Sequence, residues 1–482
     1  MHDDFDACYR AVASRDARFD GRFFTGVTST GIYCRPVCPA RTPARRNVRF
    51  FACAAAAQEA GFRACRRCRP ETAPDAPGWD VRADLVGRGL AAIRDGVVDA
   101  EGIPGLARRL AVSRRHLHRV FVAELGAGPL AVARTQRAQR ARLLLDEDLP
   151  LTDVAFCAGY ASIRQFNASM RAAFGATPTE LRRSSTRGAR PAALRLRLPV
   201  VAPLDAGALL GFLATRAVAG VEDVVDGVYR RTVGDSVVEL AVGGGAARLV
   251  VRLGPAADLA GIVRGVRALA DLDTDPAAVG AVLGGDPLLA PMVAARPGLR
   301  VPGSVDGFEC AVRAVLGQQV SVAGAITLAT RLVRRHGQAL AAPDGTLTHR
   351  FPTPEALTDA DLSGLGITGT RIQALRALAS AVATGDLVLD GRGDHAAVTA
   401  RLQALPGFGP WTAGYVAMRA LRDPDALPVG DLGLRRALEA REGASTPADL
   451  ATRAEAWRPW RAYAAMHLWT ADAAPRSTAV SA

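Results

Sequence analysis

Residues 405 to 412 read Leu-Pro-Gly-Phe-Gly-Pro-Trp-Thr, and the sequence predicts a helix from Pro410 toward Leu421. Two glycines leave the backbone of this turn unobstructed, and proline suits the first turn of a helix. The free N–H groups of such a helix start form a binding site for a phosphate. Asp431 follows, in the stretch Pro-Val-Gly-Asp-Leu-Gly-Leu. The alternative is an ordinary Gly/Pro turn, with Asp431 serving only as the N-cap of the helix over 432–440.

The hairpin, its Trp-Thr pair and the spacing to Asp431 resemble the helix-hairpin-helix DNA glycosylases. The resemblance implies that the backbone at Gly407 and Gly409 binds DNA and that Asp431 is the catalytic aspartate. A fixed carboxylate can stabilise the positive charge that develops on the sugar when an N-glycosidic bond breaks. Water then attacks the sugar and leaves an abasic site.

Residues of about 194 to 470 resemble the AlkA-type glycosylases, which remove alkylated bases from DNA. Besides the hairpin, the resemblance rests on Ala314-Val-Leu-Gly-Gln-Gln-Val-Ser-Val-Ala, on Met418-Arg and on the stretch from Trp457 to Trp469. It implies that Trp411, Tyr415 and Trp469 line the pocket for the flipped base, although core packing is the alternative for each ring. Aromatic walls suit a methylated purine because that base is cationic.

The family's wedge fills the gap that the flipped nucleotide leaves, and it is usually an apolar leucine. This chain has Gln319 at that position. Glutamine can still intrude and form hydrogen bonds, so the mode of insertion is the point in question rather than the reaction.

Charge indicates the partner. The 482-residue chain has a net charge of +13, and all 60 cationic side chains are arginine. Residues 1 to 190 carry 31 arginines against 19 acidic residues. A basic surface of this kind favours double-stranded DNA, because each neutralised phosphate releases counterions; a merely solvated basic face is the alternative. No apolar run is long enough to span a membrane and the N-terminus does not resemble a signal peptide, so a cytoplasmic protein is expected.

Four of the eight cysteines are spaced as metal ligands. Cys34-x3-Cys38 is followed, after 26 intervening residues, by Cys65-x2-Cys68, which predicts a tetrahedral Zn²⁺ site rather than disulfides. Arginines surround the quartet, namely Arg35, Arg41, Arg45, Arg46, Arg49, Arg66, Arg67 and Arg69.

Residues 1 to 75 resemble the N-terminal domain of the Ada-type methylation-response regulators, through Gly31-Ile-Tyr-Cys-Arg-Pro-Val-Cys-Pro-Ala-Arg and Ala60-Gly-Phe-Arg-Ala-Cys-Arg-Arg-Cys-Arg-Pro. The resemblance implies that Cys34 irreversibly accepts a methyl group from a DNA methylphosphotriester. Metal coordination keeps a sulfur deprotonated and nucleophilic. Methylation also removes charge from the site, which is expected to raise affinity for DNA.

An internal repeat occupies residues 76 to 183. The stretches that begin at Ser113 and Ser162 align at a constant offset of 49, and each pairs a short helix with a Ser-capped amphipathic helix. The pattern predicts two helix-turn-helix units and resembles the DNA-binding module of AraC-type regulators. The expected base-reading side chains are Arg114, Arg115, His118, Ile163, Arg164 and Asn167.

The sequence therefore predicts a multidomain α+β protein. The expected units are a zinc domain (1–75), an all-α double helix-turn-helix domain (76–183), a linker (184–193), an antiparallel α+β domain (194–280), an all-α helix-hairpin-helix glycosylase domain (281–470) and a tail (471–482). The predicted function is a methylation-responsive transcriptional activator, with RNA polymerase as a partner, fused to a monofunctional glycosylase for alkylated purines such as 3-methyladenine. A DNA-binding regulator whose repair chemistry has decayed is the alternative.

Overall fold

The first 70 residues build a small sheet over an aromatic core that includes Phe24, Tyr33 and Phe62. A computed structural model describes residues 2–68, 70, 81–94, 96–145, 149–184, 193–243, 245–252, 258–391, 394–443 and 446–473. The sheet has the strand order β3-β1-β2-β4, in which only β2 and β4 pair in parallel. Its elements are α1 (Phe5–Ser14), β1 (Phe24–Val27), β2 (Ile32–Cys34), β3 (Val48–Phe51), α2 (Ala54–Glu59) and β4 (Arg63–Ala64).

In the described part of residues 81–184, seven helices follow and confirm the repeat. Ser113 and Ser162 each accept a backbone N–H at 3.2 Å as N-caps, and Gly126 and Gly175 end both helices in left-handed conformations. Gly102 interrupts the helix Val97–Arg109, so the part of this helix after Gly102 is the short helix that the sequence predicts. The helices are α3 (Val81–Arg94), α4 (Val97–Arg109), α5 (Arg114–Leu125), α6 (Pro129–Leu144), α7 (Leu151–Cys157), α8 (Ile163–Phe174) and α9 (Pro178–Ser184).

An antiparallel sheet begins the second half of the chain, with the strand order β5-β9-β8-β7-β6. Alternation in β5 buries Leu194, Leu196 and Leu198 on one face. The sheet has one strand more than the sequence predicts, namely β6. The elements are β5 (Ala193–Pro199), α10 (Ala206–Ala214), β6 (Glu222–Val225), β7 (Val228–Val233), β8 (Ser236–Gly243), β9 (Ala246–Arg252) and α11 (Leu259–Leu269).

Helices dominate the rest of the described chain. They pack around a core that contains the fully buried Trp457 and Trp460. The elements are α12 (Pro276–Leu283), α13 (Ala290–Ala295), α14 (Gly307–Leu316), α15 (Val322–His336), β10 (Gln338–Asp344), β11 (Leu347–Arg350), α16 (Pro354–Thr358), α17 (Gly369–Ala383), α18 (His395–Ala404), α19 (Pro410–Arg419), α20 (Leu432–Glu442), α21 (Pro447–Ala454) and α22 (Arg461–Ala473).

In its described part, the domain predicted as all-α over residues 281–470 is helical except for the hairpin of β10 and β11, which the sequence did not predict. The first strand of this hairpin is rich in alanine, which is a poor strand former, and tertiary pairing overrides that preference. Among the described residues, no helix combines the length and the apolar character that crossing a membrane requires.

Candidate functional site

The turn between α18 and α19 is the predicted hairpin. Gly407 has a φ of 78°, and a Cβ atom there would lie 2.9 Å from the Cβ of Ala374. Glycine is therefore required for both conformation and space. Gly409 is exposed and precedes Pro410 at the first position of α19. The start of α19 thus presents backbone N–H groups to solvent, as a phosphate site requires.

Asp431 is the N-cap of α20, because its Oδ1 accepts the backbone N–H of Leu434 at 3.0 Å. The carboxylate does more than cap the helix. The indole Nε1 of Trp411 donates to Oδ2 at 2.8 Å, and that of Trp469 donates to Oδ1 at 2.8 Å. Three donors from three helices therefore fix a half-buried carboxylate.

Three aromatic rings form one wall beside this carboxylate. Trp411 and Tyr415 stack with centroids 5.5 Å apart and planes inclined by 17°, and Trp469 lies 6.5 Å from Tyr415 at 55°. Each ring is half-buried rather than enclosed in the core. Arg419 Nη1 donates to the Tyr415 hydroxyl at 2.6 Å, which fixes that ring. The structure thus brings all three predicted aromatic residues to Asp431.

Gln319 lies in the exposed connection between α14 and α15, with a φ of 54°. Its neighbour Gln318 was not predicted to have a role. Gln318 Nε2 donates to the carbonyl of Gly407 at 2.8 Å and to Thr412 Oγ1 at 2.9 Å. Gln318 therefore ties this loop to the hairpin, and the only sequence signal for it is the Gln-Gln pair itself.

The four predicted metal ligands converge at the end of the N-terminal sheet. Cys34 is the last residue of β2, and Cys65 directly follows β4. All four sulfurs lie within 4.8 Å of one another, and those of Cys38 and Cys65 are 4.0 Å apart. Zn–S bonds of about 2.3 Å in a tetrahedron place sulfurs about 3.8 Å apart. The cluster, completed by Cys68, therefore fits a Zn²⁺ ion.

The arginines around this cluster differ in their surroundings. Arg35 does not belong to the exposed basic surface, because its Nε donates to Asp20 at 2.8 Å and its backbone N–H donates to Cys68 Sγ at 3.4 Å. Arg69 lies outside the described residues. The exposed arginines are Arg41, Arg45, Arg46, Arg49, Arg66 and Arg67.

Most of the predicted base-reading side chains point away from the helix-turn-helix cores. They are exposed at Arg114, Arg115, His118 and Arg164, and half-buried at Asn167. Ile163 instead packs against the core of the second repeat, so it is less available for contact with a base than the sequence suggests.

The chain matches four protein families. They are "Metal binding domain of Ada" over residues 7–71, "Helix-turn-helix domain" over 106–184, "AlkA N-terminal domain" over 195–306 and "HhH-GPD superfamily base excision DNA repair protein" over 312–462.

Some similar proteins cover nearly the whole chain, and others cover only a part of it. The protein named "Probable bifunctional transcriptional activator/DNA repair enzyme AlkA" of Mycobacterium tuberculosis is 48% identical over 480 residues, which are 98% of this chain and 97% of that protein. "DNA-3-methyladenine glycosylase 2" of Escherichia coli is 38% identical over 276 residues, 55% of this chain and 94% of that protein. The 3-methyladenine DNA-glycosylase structure from Archaeoglobus fulgidus shares the fold, with a TM-score of 0.51 and 22% identity over 57% of this chain and 97% of its own.

Proposed function

This chain belongs to the family of AlkA-type bifunctional transcriptional activators and DNA repair enzymes, and on that premise we propose that Asp431 catalyses base excision while Cys34 accepts methyl groups from DNA. The chain is a DNA-3-methyladenine glycosylase of the helix-hairpin-helix class, and it binds DNA and zinc. The observation that carries the proposal is the carboxylate of Asp431 shared between two indole N–H groups of an aromatic wall.

Asp431 acts as an electrostatic catalyst. Cleavage of the N-glycosidic bond leaves positive charge on the sugar, and the bonding electron pair departs with the base. A carboxylate held by three donors cannot swing away, so it stabilises that charge without reorganisation. A cationic methylated purine leaves as a neutral base. Attack by water on the sugar completes the hydrolysis and leaves an abasic site.

The aromatic wall selects the base. Stacking of Trp411 on Tyr415 presents π faces to which a cationic purine is attracted more strongly than a neutral one. The indole of Trp469 has a second task, because its N–H orients the catalytic carboxylate. Base flipping leaves a gap in the duplex. We propose that the exposed side chain of Gln319 fills this gap.

Cys34 is the proposed methyl acceptor. Zinc bound at the four cysteines would keep the Cys34 sulfur deprotonated, and therefore nucleophilic, at neutral pH. The Cys34 sulfur forms a bond to the methyl carbon while the O–CH₃ bond of the phosphotriester breaks, and the electron pair stays on the phosphate oxygen. Cys68 is less suited to this attack, since the backbone N–H of Arg35 donates to its sulfur. The exposed arginines nearby attract the DNA backbone.

The double helix-turn-helix domain links this sensing to promoters. Its exposed residues Arg114, Arg115 and Arg164 lie at the starts of the two second helices, where such helices contact base edges. Activation of transcription further implies contact with RNA polymerase, which binding of the purified polymerase to the DNA-bound chain would test.

The absence of lysine from the sequence favours base release without cleavage of the DNA strand. Bifunctional glycosylases use a lysine amine to form a Schiff base and then cut the strand, and this chain has no ε-amino group. We expect alkylated duplex DNA treated with the protein to carry abasic sites in unbroken strands, which a gel before and after base treatment measures. Borohydride should trap no covalent adduct. A trapped adduct that persists when the N-terminal amine is blocked would contradict the attack by water.

Replacement of Trp469 by Phe tests the positioning of Asp431. Phenylalanine keeps an aromatic wall but removes the N–H donor. A hydrogen bond to a charged group contributes about 1.5 to 3 kcal/mol. We therefore expect single-turnover base release to slow by about tenfold or more, with little change in duplex affinity. An unchanged rate would show that the indole N–H does not support catalysis.

A further inference from the structure

The zinc domain and the glycosylase domain share one hydrophobic core. Ala11 and Val12 of α1 lie in the same buried cluster as Val279 of α12. The fully buried ring of Phe19 meets the fully buried ring of Trp460 edge-on, with centroids 5.4 Å apart. These apolar residues lie about 270 to 440 positions apart in the chain, so the contact is between domains rather than within one.

Arg18 reaches from the zinc domain into a polar pocket of the glycosylase half. Its guanidinium donates to Thr274 Oγ1 at 2.8 Å and to the Tyr463 hydroxyl at 3.0 Å, and it lies 3.5 Å from Asp271 Oδ1. Asp16 holds the other edge of the guanidinium at 2.6 Å. The side chain is only 10% exposed and that of Asp271 only 2%. Partners from both domains therefore enclose one arginine.

Arg22 forms a second polar contact between the two domains. Its Nη1 donates to Asp423 Oδ1 at 2.8 Å, and its Nη2 contacts the ring Nδ1 of His395. Burial alone would raise the pKa of Asp423, but the charge of Arg22 overrides it and holds the pKa below its usual value. Burial and the same arginine lower the pKa of His395 to about 4, so the ring is neutral at pH 7 and accepts the hydrogen bond.

The partners of Arg18 and Arg22 lie in or next to segments that carry the catalytic groups. Asp423 lies in the connection from α19, which holds Trp411, to α20, which Asp431 caps. Tyr463 lies in the first turn of α22, which holds Trp469. The backbone N–H of Ala462 donates to the carbonyl of Pro424 at 3.0 Å and joins the two segments.

The paired charges between the two domains are those expected of a fixed interface. A buried charge persists only when it is paired, and removal of one partner leaves the other uncompensated in a low-dielectric site. Without the zinc domain, Asp271 and Asp423 would each lose an arginine partner.

We propose that the zinc domain is a fixed part of the glycosylase unit. Residues 16–23 dock onto the face formed by residues 271–274, 421–425 and 460–463, and this docking stabilises the segments that position Asp431 and Trp469. Many small zinc domains fold only with their metal, and we therefore expect zinc binding at the four cysteines to stabilise the glycosylase segments as well.

Hydrogen–deuterium exchange of the full-length protein tests the docking. In the double variant Arg18→Ala/Arg22→Ala, we expect amides of residues 421–425 and 460–463 to exchange at least tenfold faster than in the wild type. The matched control is Arg46→Ala/Arg63→Ala, which removes the same charge from exposed positions of the same domain. The control should exchange as the wild type does. Equal exchange of both segments in the two double variants would overturn the proposal.

Zinc removal gives a test without substitution, and it serves if the double variant does not fold. Chelation of zinc from the wild-type protein should raise exchange in the same two segments, while β8 and β9, which do not form the docked face, keep their protection. Unchanged exchange at 421–425 and 460–463 after complete loss of zinc would overturn the coupling. The readout is independent of catalysis, so an inactive glycosylase would not affect it.

Discussion

Base release by Asp431→Asn should fall by at least two orders of magnitude. Asparagine keeps the shape and remains a good N-cap, so α20 stays in place. It removes the negative charge that stabilises the developing positive charge on the sugar. Loss of one preorganised electrostatic group costs about 2.7 to 4 kcal/mol in comparable sites, or about 10² to 10³ in rate. Single-turnover release of 3-methyladenine from methylated duplex DNA measures the effect.

Binding provides the control for this variant. The hairpin at Gly407 and Gly409 contacts DNA through backbone N–H groups and does not use the Asp431 carboxylate, so affinity for undamaged duplex should persist. Near-normal excision by Asp431→Asn would remove Asp431 from the catalytic role and leave it as the N-cap that the structure also shows.

Methyl transfer from phosphotriesters should vanish in Cys34→Ala. The reaction consumes one sulfur per methyl group, so removal of the acceptor abolishes it rather than slowing it. Incubation with DNA that carries labelled methylphosphotriesters, followed by peptide mapping, measures the transfer. In the wild type the label should lie on the peptide that contains Cys34, and promoter affinity should rise after methylation.

Cys53→Ala is the matched control, because Cys53 is an exposed cysteine of the same domain outside the metal cluster. It should retain full transfer. Label on Cys38, Cys65 or Cys68 in the wild type would show that another ligand is the acceptor. Base excision by Cys34→Ala should continue in preparations that retain zinc.

The sequence predicted the parts of the site that lie within motifs. The turn at Gly407 and the cap at Asp431 follow from local rules on glycine, proline and helix ends. The spacing of Cys34, Cys38, Cys65 and Cys68 likewise determines a ligand set. The aromatic wall is different, because Trp469 lies 38 residues beyond Asp431, and only the family resemblance indicated that the two meet.

The missed hairpin of β10 and β11 had a local signal. The two-residue turn is Gly345-Thr346, and Gly345 has a φ of 65° at the first central position, where such hairpin turns favour glycine. The flanking text weakened the prediction, since Gln338-Ala-Leu-Ala-Ala-Pro contains no β-branched residue.

Contacts between domains were beyond sequence reasoning. Arg18 and Arg22 counted toward the basic N-terminal region, where a DNA partner was the natural interpretation of charge. The structure instead gives them partners hundreds of residues away, namely the buried Asp271 and the half-buried Asp423. Charge patterns show how many arginines a region holds, whereas only tertiary structure shows which of them face solvent.

The most direct test of the account is release of free base by the full-length wild-type protein. Duplex DNA methylated on its purines is incubated with the protein, and the released bases are separated and identified by chromatography. We predict repeated turnover that yields free 3-methyladenine and leaves abasic sites in unbroken strands. Binding to the same duplex without any released base would contradict the account and favour a DNA-binding regulator whose repair chemistry has decayed.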